Sequence, residues 1–418
     1  LLNKPSEITQ KPKKRSRLDS ITIFPNQNKI PDSFPHQPND ATIAYYIRYQ
    51  RGWYLSQPKY EVMPARSPLK FERSLETNKI IDQQLSDTTL LSYLFFDDGV
   101  IVYDAVVNKK RFDITIDEKT YFPSHSMGKS ITSYLIGHAV CQGYIKSIDE
   151  PIHDWELMKD TLYYGQPLVN LLNMKAGDSN IVEEKGGNFR VSGRSIHDSP
   201  LILAAKNPSE LKNTKPVGNP RYSYSNLTSD VIFNYLMQRT GPNFDKFMSD
   251  FYQKKVKIQY PVHHMMNRLA DGQYKASTKE RTQQGAGRYD LWATRYDYLR
   301  IAKAMMDDWQ ANTCEGKYLK ELYDRRVRLN QKQGNWQPES TLWGKPEFTQ
   351  TASKYGGQFY TDFNGLNGKK VLLMDGFNGQ QIVMDMDNSR IVVILAAMAQ
   401  NYDTKKLGYE PIKYGRIR

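Results

Sequence analysis

Strand-forming runs lie toward the two ends of this chain, and helix-forming runs lie between them. Residues 90–96 and 100–107 are β-rich, and Asp98-Gly99 between them is a hairpin signal because Gly tolerates positive φ. Residues 371–374, 382–386 and 391–397 read as three more short strands, separated by Gly-rich and Asn/Asp-rich turns. The economical solution is an α+β sandwich: one antiparallel sheet built from both chain ends, flanked by helices, with a mostly helical domain inserted. The predicted layout is a basic, Pro-rich arm over 1–40, a sheet domain over 41–125 plus 335–418, and a helical domain over 126–334.

Helical periodicity marks the middle. Residues 126–142 carry Ile131, Leu135 and Ala139 at helical spacing and stop at Gly143. Residues 167–175 read as a short helix ended by Gly177. A helix over 227–240 opens on Ser225 or Asn226 as cap and stops at Gly241. Residues 295–309 form another, and 71–86 an amphipathic helix ahead of the first hairpin. The first 40 residues hold six prolines and few large apolar side chains, the composition of an extended arm.

Composition removes several function classes. With 39% hydrophobic residues in 418, the chain can bury a core. No apolar run approaches the ~18–20 residues that span a bilayer. Two cysteines, Cys141 and Cys314, rule out a disulfide scaffold and a multi-Cys zinc site. They can pair only with each other, and the sequence does not say whether they do. The formal charge of +13 is partly local, since Lys11, Lys13, Lys14, Arg15 and Arg17 crowd into seven positions. That arm reads as a solvated tail, or as a dock for an anionic surface. No signature for specific nucleic-acid binding accompanies it. The chain opens on Leu1 and not Met, so export is an open reading beside a cytoplasmic one; oligomeric state is not legible.

Three segments carry chemistry. Ser126-Met127-Gly128-Lys129 opens the longest apolar helix. Residues three apart share a helix face, so hydroxyl and amine come within hydrogen-bond reach. Partial burial at the positive end of a helix disfavours the ammonium, which lets the amine take a proton from the serine. Ser-x-x-Lys also occurs at Ser56, Ser67 and Ser209, but two of these contain Pro and the third sits in a polar stretch. Tyr224-Ser225-Asn226 precedes the 227–240 helix. A phenol near Lys129 can relay a proton to a leaving group, and the Asn226 amide can donate to substrate or to Lys129; the plainer reading makes Asn226 a cap. Asp375-Gly376-Phe377-Asn378-Gly379-Gln380 lies between two C-terminal strands. Its glycines admit a close ligand, and a backbone N–H there can pair with that of Ser126 as an oxyanion hole; the plainer reading is a hairpin loop.

In order and spacing these segments resemble serine hydrolases of the β-lactamase and penicillin-binding-protein superfamily, closest to the class C-like branch with its carboxylesterases and 6-aminohexanoate-dimer hydrolases. Residues 121–132 resemble that branch's nucleophile segment, 143–152 the stretch that follows it, and 171–177 its Leu-Leu-x-Met element, with Ala176 in place of the usual Ser. Residues 376–380 resemble the Gly-x-x-Gly-Gln form of the third motif. The resemblance implies a β-lactamase/transpeptidase-like fold and hydrolysis of a small ester or amide through an acyl-enzyme. Ser126 would be the nucleophile, with Lys129 and Tyr224 sharing acid–base work. The N–H groups of Ser126 and Phe377 would form the oxyanion hole, and Asn226, Gly376, Asn378, Gly379 and Gln380 would contact substrate or support the site. It implies no cofactor and no metal. The Lys-Thr-Gly of true β-lactamases is missing, which argues against efficient penicillin hydrolysis.

Two rivals use the same residues. Ser124 to Gly128 nearly matches the Gly-x-Ser-x-Gly elbow of α/β-hydrolases, but that fold wants a buried apolar strand before it and a late histidine. Here Glu118 to Pro123 precede it, and no histidine follows His264. The other rival is a catalytically idle relative that binds a peptide, glycan or wall fragment.

Overall fold

The computed structural model describes residues 40–418 apart from 113, 179–181, 186–187, 192–193, 197–211, 268, 270–276, 330–348, 350 and 398–401. The basic arm and the domain boundary expected at 334/335 therefore lie outside the described residues.

In chain order the strands are β1 (Lys59–Val62), β2 (Glu72–Arg73), β3 (Leu90–Asp97), β4 (Val100–Val106) and β5 (Tyr121–Pro123). Next come β6 (Val182–Lys185), β7 (Asn188–Val191), β8 (Arg194–Ile196), β9 (Val262–Met266) and β10 (Gly287–Thr294). The last six are β11 (Val327–Arg328), β12 (Ala352–Gly356), β13 (Phe359–Phe363), β14 (Val371–Gly376), β15 (Gln380–Asp385) and β16 (Arg390–Ala396). The helices that matter here are α1 (Asp40–Ser56), α2 (Lys79–Asp87), α3 (Met127–Cys141), α4 (Leu168–Leu172), α5 (Asn226–Thr240), α6 (Arg295–Ala311) and α7 (Cys314–Asp324).

Nine strands form the main sheet in the order β11-β12-β13-β14-β15-β16-β3-β4-β2. All its pairs are antiparallel except β2 with β4. The N-terminal hairpin thus docks on β16, and the sheet is built from both ends of the sequence. The Asp98-Gly99 turn joins β3 to β4 with both residues at positive φ, as a two-residue hairpin requires. Residues Leu90 to Phe96 of β3 and Ile391 to Ala396 of β16 are buried at every position, so both faces of the sheet are covered. Helices α3 and α6 pack against the β14–β16 region, and α2 and the short helix Glu410–Tyr414 pack against β3 and β16.

Three expectations need correction. The helix predicted over 71–86 begins only at Lys79, because the Asn78 side chain accepts from the N–H of Ile80 at 2.9 Å and caps it there. Upstream, Ser74 and Glu76 donate backbone N–H groups to Ile101 and Val102, so that stretch runs beside β4. The short helix predicted over 167–175 ends at Leu172, where Met174 at φ 53° turns the chain. The inserted region also holds more strand than its periodicity suggested. There β9 and β10 join β1 and β5 in a second sheet, ordered β1-β9-β10-β5. Its strands are short, and β10 carries an irregularity between Gly287 and Leu291, so neither shows clean alternation.

Cys141 at the end of α3 and Cys314 at the start of α7 form a disulfide with Cα atoms 5.8 Å apart. Among the described residues no helix is long and apolar enough to cross a membrane.

Candidate active site

The Ser126 turn is pinned from behind before its helix begins. Trp292 of β10 pairs with Pro123 of β5. Ser124 then exchanges two bonds with Leu291: its N–H donates to the carbonyl at 2.8 Å, and its hydroxyl accepts the Leu291 N–H at 2.9 Å. His125 follows at φ 45°, a left-handed conformation that costs a non-glycine residue energy. Ser126 is the first αR residue, and the N–H of Lys129 donates back to its carbonyl. Gly128 is obligatory here. A Cβ at that position would lie 2.4 Å from the Tyr289 carbonyl and 2.8 Å from Ser124 Oγ, so only glycine lets β10 cross the first turn of α3.

Four predicted side chains converge on this turn. Lys129 Nζ donates to Ser126 Oγ at 2.9 Å, and Tyr224 OH donates to the same oxygen at 2.8 Å. Lys129 also donates to Asn226 Oδ1. The sequence reading gave Asn226 the donor role toward Lys129; its carbonyl is in fact the acceptor, as an ammonium carrying only donors requires.

Sequence reasoning missed Tyr289. Its hydroxyl donates to Asn226 Oδ1 at 2.9 Å, and Lys129 Nζ stands 3.8 Å from its ring centroid. The Tyr224 ring lies 4.9 Å from Nζ on another side. Lys129 is thus buried yet held by two aromatic faces, an amide carbonyl and the Ser126 hydroxyl. No local pattern around Tyr289 could have revealed this, because its role comes from β10 crossing α3. Asp178 was missed as well. Buried at the head of α5, it accepts from Tyr163 OH, Ser225 Oγ and Thr228 Oγ1, and so fixes the segment that presents Tyr224 and Asn226.

The third segment abuts the Ser126 turn. A Cβ on Gly376 would sit 2.4 Å from the Ser124 carbonyl and 3.2 Å from Met127 Cγ. The Phe377 ring meets the His125 ring edge-on at 5.7 Å. The remaining members of that segment divide. Gly379, at φ 86°, offers its carbonyl to Tyr402 OH. Gln380 is buried and clasps the backbone of Ala396 with both ends of its amide, so it secures the strand end and does not line the opening. The Asn378 side chain lies outside the described residues.

Behind the site, Asp230 on α5 accepts the Tyr289 N–H at 3.2 Å. Burial pushes its pKa up to about 7; Asp290 adds to the rise, while Arg288 and the Tyr289 N–H oppose it. His125 is pushed down to about 4, chiefly by burial, and is neutral at pH 7. The folded state therefore holds an Asp230 proton that the unfolded chain releases near pH 4. The stabilisation from this proton is complete below that pH and disappears as pH climbs through about 7. Asp230→Asn is expected to flatten that part of the stability profile relative to wild type. Denaturant midpoints between pH 4 and 8 check this, and parallel profiles for the two proteins refute it.

The rival elbow finds no support in its geometry. The strand before Ser124 is a three-residue edge strand, not a buried apolar one. His263 engages Tyr54 and Glu61, and His264 engages Tyr252.

No family model and no curated protein match the sequence. Solved structures do. A Bacillus anthracis protein with the provisional name 6-aminohexanoate-dimer hydrolase superposes with a TM-score of 0.60 at 15% identity, covering 92% of this chain and 97% of its own. This chain has the β-lactamase/penicillin-binding-protein fold. A Bacteroides dorei protein provisionally named a β-lactamase gives 0.51 at 15% identity, covering 77% of this chain and 90% of its own. The class C β-lactamase of Rhodobacter sphaeroides gives 0.50 at 12% identity, covering 80% and 97%. The α+β layering expected from the sequence is the layering of that fold.

Proposed function

We propose that the protein is a serine hydrolase that cleaves an ester or amide bond through a covalent acyl-enzyme. The observation that carries this reading is a single oxygen, Ser126 Oγ, held within hydrogen-bond distance of both an ammonium and a phenol at 2.9 and 2.8 Å. A serine hydroxyl attacks only when a neighbouring group removes its proton. Lys129 and Tyr224 are the candidates, and together they form a relay. Attack requires one member of the pair to be unprotonated, either Lys129 as the free amine or Tyr224 as a phenolate beside the Lys129 ammonium. As Ser126 Oγ bonds to the substrate carbonyl carbon, its proton passes to that group. The carbonyl oxygen becomes an oxyanion, which the N–H groups of Ser126 and Phe377 receive. Collapse of the intermediate expels the alcohol or amine, protonated through the same pair. Water then repeats the sequence on the acyl-enzyme. Each oxyanion donor contributes on the order of 3 kcal/mol of barrier lowering.

The third segment offers no lysine to grip a β-lactam carboxylate, so penicillins are poor candidates. The name of the Bacillus anthracis structure points instead to an aminohexanoate dimer. The test is a panel of short-chain esters, a linear aminohexanoate amide and a chromogenic cephalosporin. We expect ester or amide turnover with little cephalosporin cleavage. A folded protein that cleaves none of the panel would sink the proposal.

In the same reading Tyr289 is a positioning residue for Lys129. Tyr289→Phe keeps the ring and loses the bond to Asn226, with a cost of under about tenfold in kcat/KM. Tyr289→Leu removes the aromatic face as well and is expected to cost roughly 30-fold, with a displaced pH–rate profile. Equal rates and profiles for the two variants would remove Tyr289 from the relay's support.

A further inference from the structure

Most cations around the site are paired. In the segment Arg325-Arg326-Val327-Arg328, Arg325 meets Asp149 at 2.6 Å and Arg326 meets Asp362. Arg328 has no carboxylate partner among the described residues, and neither do Lys175 or Arg221. These three line one cavity of about 410 Å³, together with Asn219, Tyr222 and Leu329, and no acidic residue is among its described lining residues. The contrast with a second cavity of about 470 Å³ is instructive. There Lys320 and Lys370 are balanced by Asp324 and Asp387.

The cationic cavity is tied to the candidate active site on two sides. The Ser223 N–H donates to the Met174 carbonyl at 2.8 Å, which clamps the Arg221–Tyr224 segment to the turn that carries Lys175. Across the sheet, β11 stands three strands from β14. The pairing of Tyr360 with Leu373 and of Gly356 with Phe359 puts the Gly356-Gly357 turn at the same end as Gly376. Arg328 pairs with Lys354, which lies opposite Thr361 and so level with Leu372, four positions before Gly376. Three strand spacings of about 4.8 Å and four rises of about 3.3 Å put Arg328 roughly 20 Å from the third segment.

We propose that Lys175, Arg221 and Arg328 form a subsite for the carboxylate at the far end of a linear substrate whose scissile bond lies at Ser126. Three cations that meet no acid among the described residues favour an anion, and two guanidinium groups suit a planar carboxylate. The spacing then selects an extended chain. The link to substrate rests on the hydrolase reading, but the subsite itself is tested apart from it.

The probe is sebacate, a linear dicarboxylate with no bond to hydrolyse, titrated calorimetrically at low salt into wild type and into Ser126→Ala. Both are expected to bind one equivalent. The triple variant K175Q/R221Q/R328Q is expected to bind at least about tenfold more weakly. A control, K109Q/K317Q/K405Q, removes the same net charge from exposed positions elsewhere and is expected to bind as wild type does. No binding to wild type, or equal loss in the two triple variants, overturns the subsite. Inorganic phosphate binding as tightly as sebacate overturns the linear-carboxylate assignment. Sebacate binding in a protein that hydrolyses nothing leaves the subsite standing and removes the hydrolase reading, so the two failures are distinguishable.

Discussion

Ser126→Ala is expected to abolish both turnover and labelling by a fluorophosphonate probe, with kcat falling by about 10⁴- to 10⁶-fold. In the hydrolase reading the loss is large because the relay would act as a unit. Lys129 and Tyr224 are arranged around one oxygen, with Asn226 holding Lys129, and without that oxygen they have nothing to activate. The substitution deletes only one hydroxyl from a helix start held by the Met127, Gly128 and Lys129 N–H groups bonding back to Ser124, His125 and Ser126, so the fold survives it. Intact-protein mass spectrometry of the labelled enzyme reads the adduct directly. Undiminished labelling of Ser126→Ala would place the nucleophile elsewhere. Ligand affinity that persists in Ser126→Ala, with no turnover by wild type, would instead favour the idle binding relative.

The second large effect concerns the disulfide. Cys141 and Cys314 close a loop with a sequence separation of 173 residues. In the chain-entropy account such a closure stabilises the fold by about 5 kcal/mol, and measured values commonly fall nearer 2–4. C141S/C314S is therefore expected to lower the free energy of unfolding by about 3–5 kcal/mol, read from denaturant midpoints with and without reductant. The bond joins the far end of α3 to α7, whose Tyr318 ring packs where a Cβ on Gly137 would lie, at 2.6 Å. Its loss is thus expected to loosen α3 at the end remote from Ser126. Identical midpoints for oxidised wild type and the double variant would show that the loop carries no such constraint. A disulfide of this kind also suits an oxidising compartment.

Several features of the molecule follow from short stretches of chain. The β3–β4 hairpin was legible because Asp98-Gly99 specifies a turn and its flanks are apolar. The start of α5 was legible because Ser225 is a strong cap. Ser126 and Lys129 were legible as a pair because the helix repeat alone sets their separation. The second sheet was not legible, since β9 and β10 gain their stability from each other and from β1 and β5. The disulfide was left open because 173 positions separate its halves.

The sequence by itself determined the local geometry: which runs extend, which coil, and which hydroxyl sits one helical turn from which amine. These follow from periodicity and capping, forces that act within a few residues. Tertiary structure alone decided that Tyr224 reaches that hydroxyl, that Asn226 and Tyr289 hold the amine, and that Lys175, Arg221 and Arg328 meet at one cavity. Those contacts join residues far apart in the chain, and their free energy comes from burying shared surface, which no single segment contains.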